Sequence, residues 1–203
     1  MATKTHSVVC AAVGDGGVGK TCLMLTFLTG KYPDQYLPGA MEWNSEYSHV
    51  TEKPVKLQYE GMEVSLTLVD TVGLDEYQRL RGMVCAKTDV YLLCYDVTMP
   101  STLERIEHHW LPEIKEYSET APYILVGMKT DERTKIDKDS GPRYKAIPTE
   151  EGLRMAERLG AFGYVECSAK KGRGIRRVFE SAALAYLDRY MPENTRKKSC
   201  AIS

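Results

Sequence analysis

The sequence has little net charge and no long apolar run. Among its 203 residues, 27 Lys and Arg stand against 28 Asp and Glu, which gives a formal net charge of −1 at pH 7. This balance argues against a protein that coats nucleic acid with its whole surface, so we expect no nucleic-acid partner. No apolar stretch approaches the roughly 20 residues of a membrane-spanning helix. We therefore expect any contact with a membrane to need an attached anchor.

The cysteines also lack a pattern. No Cys-x-x-Cys pair occurs and no basic, apolar leader precedes the six cysteines, which are Cys10, Cys22, Cys85, Cys94, Cys167 and Cys200. Zinc fingers and disulfide frameworks depend on closely spaced cysteines or on a secreted setting. The scatter therefore predicts free thiols in a reducing, cytoplasmic environment.

Short apolar runs that alternate with amphipathic stretches fill nearly the whole chain. This alternation is typical of an α/β fold with a mostly parallel central sheet covered by helices on both faces. We predict strands at 7–13, 64–69, 90–95, 123–126 and 164–166, and helices at 20–28, 102–117, 149–159 and 174–189. Residues 55–59 and 64–68 alternate on either side of Glu60-Gly61, which predicts an antiparallel hairpin at the sheet edge.

Two segments depart from this pattern. Residues 132–146 form a charged stretch that we expect to be an exposed insertion, and residues 192–203 are short, polar and basic. We therefore predict one folded domain over residues 1–191, followed by a tail without fixed structure.

A glycine-rich motif lies between the first predicted strand and the first predicted helix. It fits G-x-x-x-x-G-K-[ST], whose backbone N–H groups, lysine and hydroxyl bind phosphates and Mg²⁺. We take as phosphate contacts the motif residues and their neighbour: Asp15, Gly16, Gly17, Val18, Gly19, Lys20, Thr21 and Cys22. By itself this phosphate loop (residues 14–21) leaves kinase, ATPase and GTPase open.

Three later motifs narrow the choice. Asp70 ends a strand in Asp-Thr-Val-Gly, so its carboxylate can hold Mg²⁺ through water together with Thr21, while the N–H of Gly73 can meet a terminal phosphate. Asp131 can accept hydrogen bonds from N1–H and the 2-amino group of guanine, while the stem of Lys129 covers the ring. The base pocket can be closed by Ser168, Ala169 and Lys170.

Together these motifs resemble the small GTPases of the Ras superfamily, and more narrowly the Rho/Rac-like family. The narrower resemblance rests on residues 20–23, 75–81 and 109–113, and on the insertion at 132–146. It implies the G domain of P-loop NTPases and a switch that binds GTP or GDP with Mg²⁺. It also implies partners: exchange factors, effectors, GTPase-activating proteins and a prenyl-binding dissociation inhibitor.

In such proteins two segments respond to the terminal phosphate. By resemblance the first switch is residues 31–43, where Tyr32 covers the guanine edge and Tyr36 closes over the phosphates. The second switch is residues 70–83, where Gly73 joins Lys20 at the reacting phosphate.

Two residues depart from the family where hydrolysis depends on them. Gly39 stands where the family has a threonine that ligates Mg²⁺, although its N–H can still reach the γ-phosphate, and Leu74 stands where the family has the glutamine that orients water. Val72 and Met128 also replace the usual residues. We expect slow GTP hydrolysis. The alternatives are a conventionally cycling Rho GTPase acting on the cytoskeleton or polarity, in which other groups supply the missing contacts, and a nucleotide-independent interaction module.

The sequence ends in Cys200-Ala201-Ile202-Ser203, which fits a C-a-a-X prenylation signal with a serine that favours farnesyl. A single lipid binds membranes only marginally, and the basic residues 196–198 supply a second attraction to an anionic surface. We therefore expect reversible anchoring at Cys200 to the cytoplasmic face of a membrane.

Overall fold

The computed structural model describes residues 5–33, 54–59, 62–133 and 145–190. Within these ranges six strands form one sheet in the order β2-β3-β1-β4-β5-β6. The strands are β1 (Thr5–Val13), β2 (Val55–Tyr59), β3 (Met62–Asp70), β4 (Val90–Asp96), β5 (Tyr123–Met128) and β6 (Gly163–Glu166). The five predicted strands are confirmed, each with slightly longer bounds.

The sheet is mostly parallel with one antiparallel edge. Strands β2 and β3 pair antiparallel, with Val55 opposite Leu66 and Leu57 opposite Val64, whereas the other neighbours are parallel. The predicted edge hairpin is therefore confirmed, while its turn at Glu60-Gly61 lies outside the described residues. Every residue of the central strand β4 is buried, as expected for a strand covered on both faces.

Six α-helices lie in the described part of the chain. They are α1 (Lys20–Thr29), α2 (Gln78–Cys85), α3 (Pro100–Arg105), α4 (Leu111–Tyr117), α5 (Thr149–Leu159) and α6 (Ile175–Tyr190). A 3₁₀ turn (Asp75–Tyr77) precedes α2, and a π-helical turn (Ile106–Trp110) joins α3 to α4. The sequence missed α2, whose buried residues are Arg81, Gly82 and Cys85 and so give no apolar stripe.

Apolar clusters on the two faces of the sheet hold the helices in place. On one face Leu23 of α1 and Phe179 of α6 are fully buried, and Phe27 stacks on Phe179 with ring centroids 4.0 Å apart. On the other face Trp110 and Ile114 are buried with residues of α5. Helices on both faces were predicted, and this arrangement leaves the carboxyl ends of the parallel strands at one edge of the molecule.

Several predictions fall on residues that the structure does not describe. These are most of the first switch, including Tyr36 and Gly39, most of the insertion, and the tail with Cys200. The domain boundaries and the lipid site therefore stay predictions. Among the described helices, none is both long and apolar enough to cross a membrane.

Candidate functional site

The phosphate loop is curled where β1 ends and α1 begins. Gly14 has a φ of 147°, and Gly17 and Gly19 also have positive φ angles. A Cβ atom built on Gly14 would lie only 2.1 Å from the carbonyl oxygen of Cys94, so the loop packs directly on the backbone of β4. The curl that a phosphate-binding loop needs is thus present in the backbone itself.

Lys20 lies inside this loop. Its ammonium group donates to the carbonyl oxygens of Gly14 at 2.7 Å and Asp15 at 2.8 Å, and only 6% of the residue is exposed. Burial lowers the pKa of Lys20, against the opposing effect of Asp70, Cys94 and Asp15. The loop therefore holds one positive charge at its centre, where phosphate oxygens would be bound.

The two predicted metal-binding residues meet beside Lys20. The hydroxyl of Thr21, in the first turn of α1, donates to the carboxylate of Asp70, the last residue of β3. A hydroxyl and a carboxylate are hard oxygen donors of the kind that Mg²⁺ prefers. The fold thus brings together two groups that are 49 positions apart in sequence and that fit Mg²⁺.

The opposite end of the site is formed by two loops, the first base loop (residues 129–133) after β5 and the second base loop (residues 167–170) after β6. The Ser168 hydroxyl donates to the Asp131 carboxylate at 2.5 Å. Lys129 has a φ of 61°, and its ammonium lies 2.7 Å from the buried carboxylate of Asp96. Asp131 and Lys129 are therefore both fixed by side-chain contacts.

A cavity of about 560 Å³ extends between the two ends, a size suited to a ligand as large as a nucleotide. Most of the predicted site residues line it: Gly16, Gly17, Val18, Gly19, Lys20, Thr21, Cys22, Tyr32, Gly73, Leu74, Lys129, Asp131, Ala169 and Lys170. Asp70 and Ser168 bond to residues of the wall instead. The sequence did not assign Thr71 or Glu132 to the site, although both line the cavity and both adjoin motif residues.

Asp15 is a predicted phosphate contact whose side chain has another role. Its carboxylate accepts hydrogen bonds from Nε of Arg105 and Nε1 of Trp110, each at 2.7 Å, and Asp15 is not among the residues that line the cavity. Its backbone carbonyl still accepts from Lys20. The side chain therefore ties the phosphate loop to α3 and the π-helical turn, a contact over 90 residues that no local pattern reveals.

The second switch lies against the phosphate loop. The Gly73 carbonyl accepts from the N–H of Gly16 at 2.9 Å, and a Cβ on Gly73 would lie 2.4 Å from that nitrogen. The side chain of Leu74 lies near Gly16, with Cδ2 3.7 Å from the place a Cβ of Gly16 would take. An apolar group thus lies at the phosphate end of the cavity.

Arg81 of α2 holds this part of the second switch. Its guanidinium donates to the Val72 and Leu74 carbonyls at 2.8 and 2.5 Å, and it pairs with Glu113 through two bonds of 2.7 and 2.9 Å. Both side chains of the pair are 2% exposed, and the guanidinium lies 4.7 Å above the Trp110 ring. Arg81 and Glu113 belong to the segments 75–81 and 109–113 of the sequence, which predicted no role for either residue.

Two sulfur-containing residues, Met128 and Cys22, belong to the wall of the cavity. Met128 is buried beneath Gly19, and its Sδ lies 3.4 Å from the thiol of Cys167. Burial raises the pKa of the Cys22 thiol, although a hydrogen bond with Tyr32 acts in the opposite direction. A protonated, packed thiol at Cys22 is the simpler interpretation, since reactive cysteines have lowered pKa values.

Comparison with known protein families matches residues 9–188 to the Ras family. The matched range includes the phosphate loop, the second switch and both base loops.

Proposed function

The chain belongs to the Ras family of small GTPases, and from this premise we propose that it is a Rho-like GTP/GDP switch that binds Mg²⁺ and hydrolyses GTP slowly. The family itself supports a small GTP-binding switch with GTPase activity in general.

Guanine selectivity is supported by the base end of the cavity. The carboxylate of Asp131 is fixed by Ser168, and the ring can be covered by the stem of Lys129. Only guanine among the common bases offers an N1–H and a 2-amino group side by side to one carboxylate. At the other end Thr21 and Asp70 would hold Mg²⁺, which neutralises charge on the phosphates when it is bound.

One observation, the position of Leu74, supports slow hydrolysis of GTP. Its side chain lies beside Gly16 at the phosphate end, where it has no atom that can accept or donate a hydrogen bond. Phosphoryl transfer depends on the positioning of water and on charge stabilisation, so losing the orienting amide removes a catalytic contact while nucleotide binding remains. Gly39 has no side-chain hydroxyl to bind Mg²⁺, which supports the same conclusion.

The Rho-like character is supported by two of the segments on which the resemblance rests, residues 75–81 and 109–113. Arg81 belongs to one of them and Glu113 to the other, and their buried ion pair fixes the second switch. We further propose that Cys200 is prenylated, that the tail binds an anionic cytoplasmic membrane surface reversibly, and that the partners are exchange factors, effectors, GTPase-activating proteins and a prenyl-binding dissociation inhibitor.

A single-turnover assay on purified protein loaded with radiolabelled GTP and Mg²⁺ tests the proposal. We expect GTP to persist many times longer than on an ordinary Rho protein measured in parallel. Equal rates would contradict slow hydrolysis while leaving nucleotide binding intact.

The nucleotide that co-purifies with the protein separates the alternatives. GTP supports the proposal, and GDP supports a conventionally cycling enzyme. An empty protein whose Lys20→Ala variant keeps its affinity for partners supports an interaction module.

A further inference from the structure

An ion pair ties the first base loop to the end of β6, the strand that leads into the second base loop, behind the guanine end of the cavity. Arg133, two residues after Asp131, bonds to the carboxylate of Glu166, two residues before Ser168. Its two terminal nitrogens contact the two carboxylate oxygens at 2.5 and 3.0 Å, and its Nε donates to the carbonyl of Ile147 at 3.0 Å. This bidentate geometry has a defined direction, so it fixes orientation as well as distance.

Glu166 is itself held by several donors. The hydroxyls of Tyr164 and Thr149 donate to it at 2.7 and 3.1 Å, and Tyr164 also bonds to the hydroxyl of Tyr95 at 2.7 Å. Burial acts to raise the pKa of Glu166, but the hydrogen bonds from Arg133, Tyr164 and Thr149 hold it below its ordinary value. The carboxylate is therefore charged and immobile near neutral pH.

Closer to the cavity, three contacts join the two base loops directly. Ser168 bonds to Asp131, and the N–H of Thr130 donates to the Cys167 carbonyl at a long 3.3 Å. The more exposed pair between Lys170 and Glu132 is also long, at 3.3 Å. Among the described contacts of the first base loop, the Arg133–Glu166 pair, about four-fifths buried, is thus the one bidentate ion pair, and it joins this loop to the end of β6.

We infer that Arg133 and Glu166 are positioning residues that hold Asp131 in the orientation selecting guanine, and that they thereby set how long the nucleotide stays bound. This inference rests on the proposed function. Without the ion pair, the first base loop loses its bidentate link to β6, and its position relative to the second base loop then depends on the Ser168–Asp131 bond and on two contacts of 3.3 Å. The Asp131 carboxylate then reaches the guanine 2-amino group less well, and nucleotide leaves from that end more readily.

The test compares GDP with IDP, whose hypoxanthine base lacks the 2-amino group. Full-length wild type, Arg133→Gln, Glu166→Gln and the double variant are titrated with both nucleotides, and release of a fluorescent GDP analogue is timed. Arg176→Gln is the matched control, because it breaks an ion pair of 2.6 Å with Glu180 on the exposed face of α6. Thermal melting monitors folding, and Arg133→Lys, which keeps the charge, replaces any variant that fails to fold.

We expect each single variant to lose roughly tenfold of the preference for GDP over IDP, the effect of weakening one hydrogen bond to a charged group, and to release GDP faster. The double variant should lose little more than either single one, since both remove the same interaction. The control should behave as wild type.

Equal losses of affinity for GDP and IDP, or a lowered melting temperature with unchanged preference, would overturn the inference and leave a structural ion pair. A wild-type protein that binds neither nucleotide would instead overturn the proposed function, on which the inference rests.

Discussion

The carbonyl oxygen of Gly73 accepts a hydrogen bond from the N–H of Gly16, so the second switch is closed onto the phosphate loop at a distance of 2.9 Å. The carbonyls on either side of Gly73, those of Val72 and Leu74, are held by Arg81. Three successive peptide groups are therefore fixed from two directions. Any rearrangement of the second switch around a terminal phosphate has to exchange these contacts for others.

Restoring the amide at position 74 should speed hydrolysis. We expect Leu74→Gln to raise the single-turnover rate by roughly a hundredfold to a thousandfold, the range for one preorganised hydrogen-bonding group at a reacting centre, with little change in nucleotide affinity. Leu80→Gln is the matched control, because Leu80 is 52% exposed on α2 and does not line the cavity. A Leu74→Gln rate equal to that of wild type would show that another feature limits the reaction.

A side chain at Gly73 cannot fit the closed arrangement. The Cβ of Gly73→Ala would approach backbone atoms of Asp15 and Gly16 to 2.4 Å, so the second switch must separate from the phosphate loop. We expect a loss of about 1–3 kcal/mol in the free energy of unfolding, measured by urea denaturation. Gly163→Ala should cost much less, since its new Cβ would meet only Ile124 at 4.0 Å.

The buried Arg81–Glu113 pair should be costly to break from one side. Arg81→Met leaves the 2% exposed carboxylate of Glu113 without its guanidinium, and we expect a loss of about 3–5 kcal/mol in urea denaturation. The double variant Arg81→Met with Glu113→Leu should recover a large part of this loss, because it removes the stranded charge. If the double variant is as unstable as the sum of the single ones, the cost lies in packing and not in charge.

The lowered pKa of Glu166 predicts that part of the free energy of unfolding is lost in acid. The folded protein holds this pKa below its ordinary value of 4.5, so the unfolded chain binds the proton more readily as pH falls. The contribution is complete above about pH 4.5 and is lost as pH falls from there through the lowered pKa. We expect the difference in unfolding free energy between wild type and Glu166→Gln to be constant from pH 6 to 8 and to shrink below pH 4.5. A constant difference at all pH values would show that Glu166 has an ordinary pKa.

The strands and the phosphate loop could be predicted from sequence because their signals are local. Alternating apolar runs identify buried strands, and the motif from Gly14 to Thr21 requires only neighbours in the chain. The same holds for Asp70 and Asp131, each of which ends or follows a strand, so that the fold brings them to one edge of the sheet.

Contacts between distant residues were not predictable in this way. Helix α2 was not predicted, because its buried side contains Arg81, whose partner Glu113 is 32 positions away. The sequence predicted no role for the carboxylate of Asp15, because its partner Trp110 is 95 positions away. Charged residues buried in pairs resemble surface residues in a sequence, and only the assembled fold distinguishes them.

The π-helical turn between α3 and α4 fixes the number of residues in this helical region. Such a turn contains about one residue more than ordinary α-helical winding, and it lies between Arg105, which bonds to Asp15, and Glu113, which bonds to Arg81. Deleting one residue there would rotate everything beyond it by about 100°, so the phosphate-loop contact and the second-switch contact could not both be kept. This helical region therefore sets the orientation of the phosphate-loop contact relative to the second-switch contact, and its length is as constrained as its sequence.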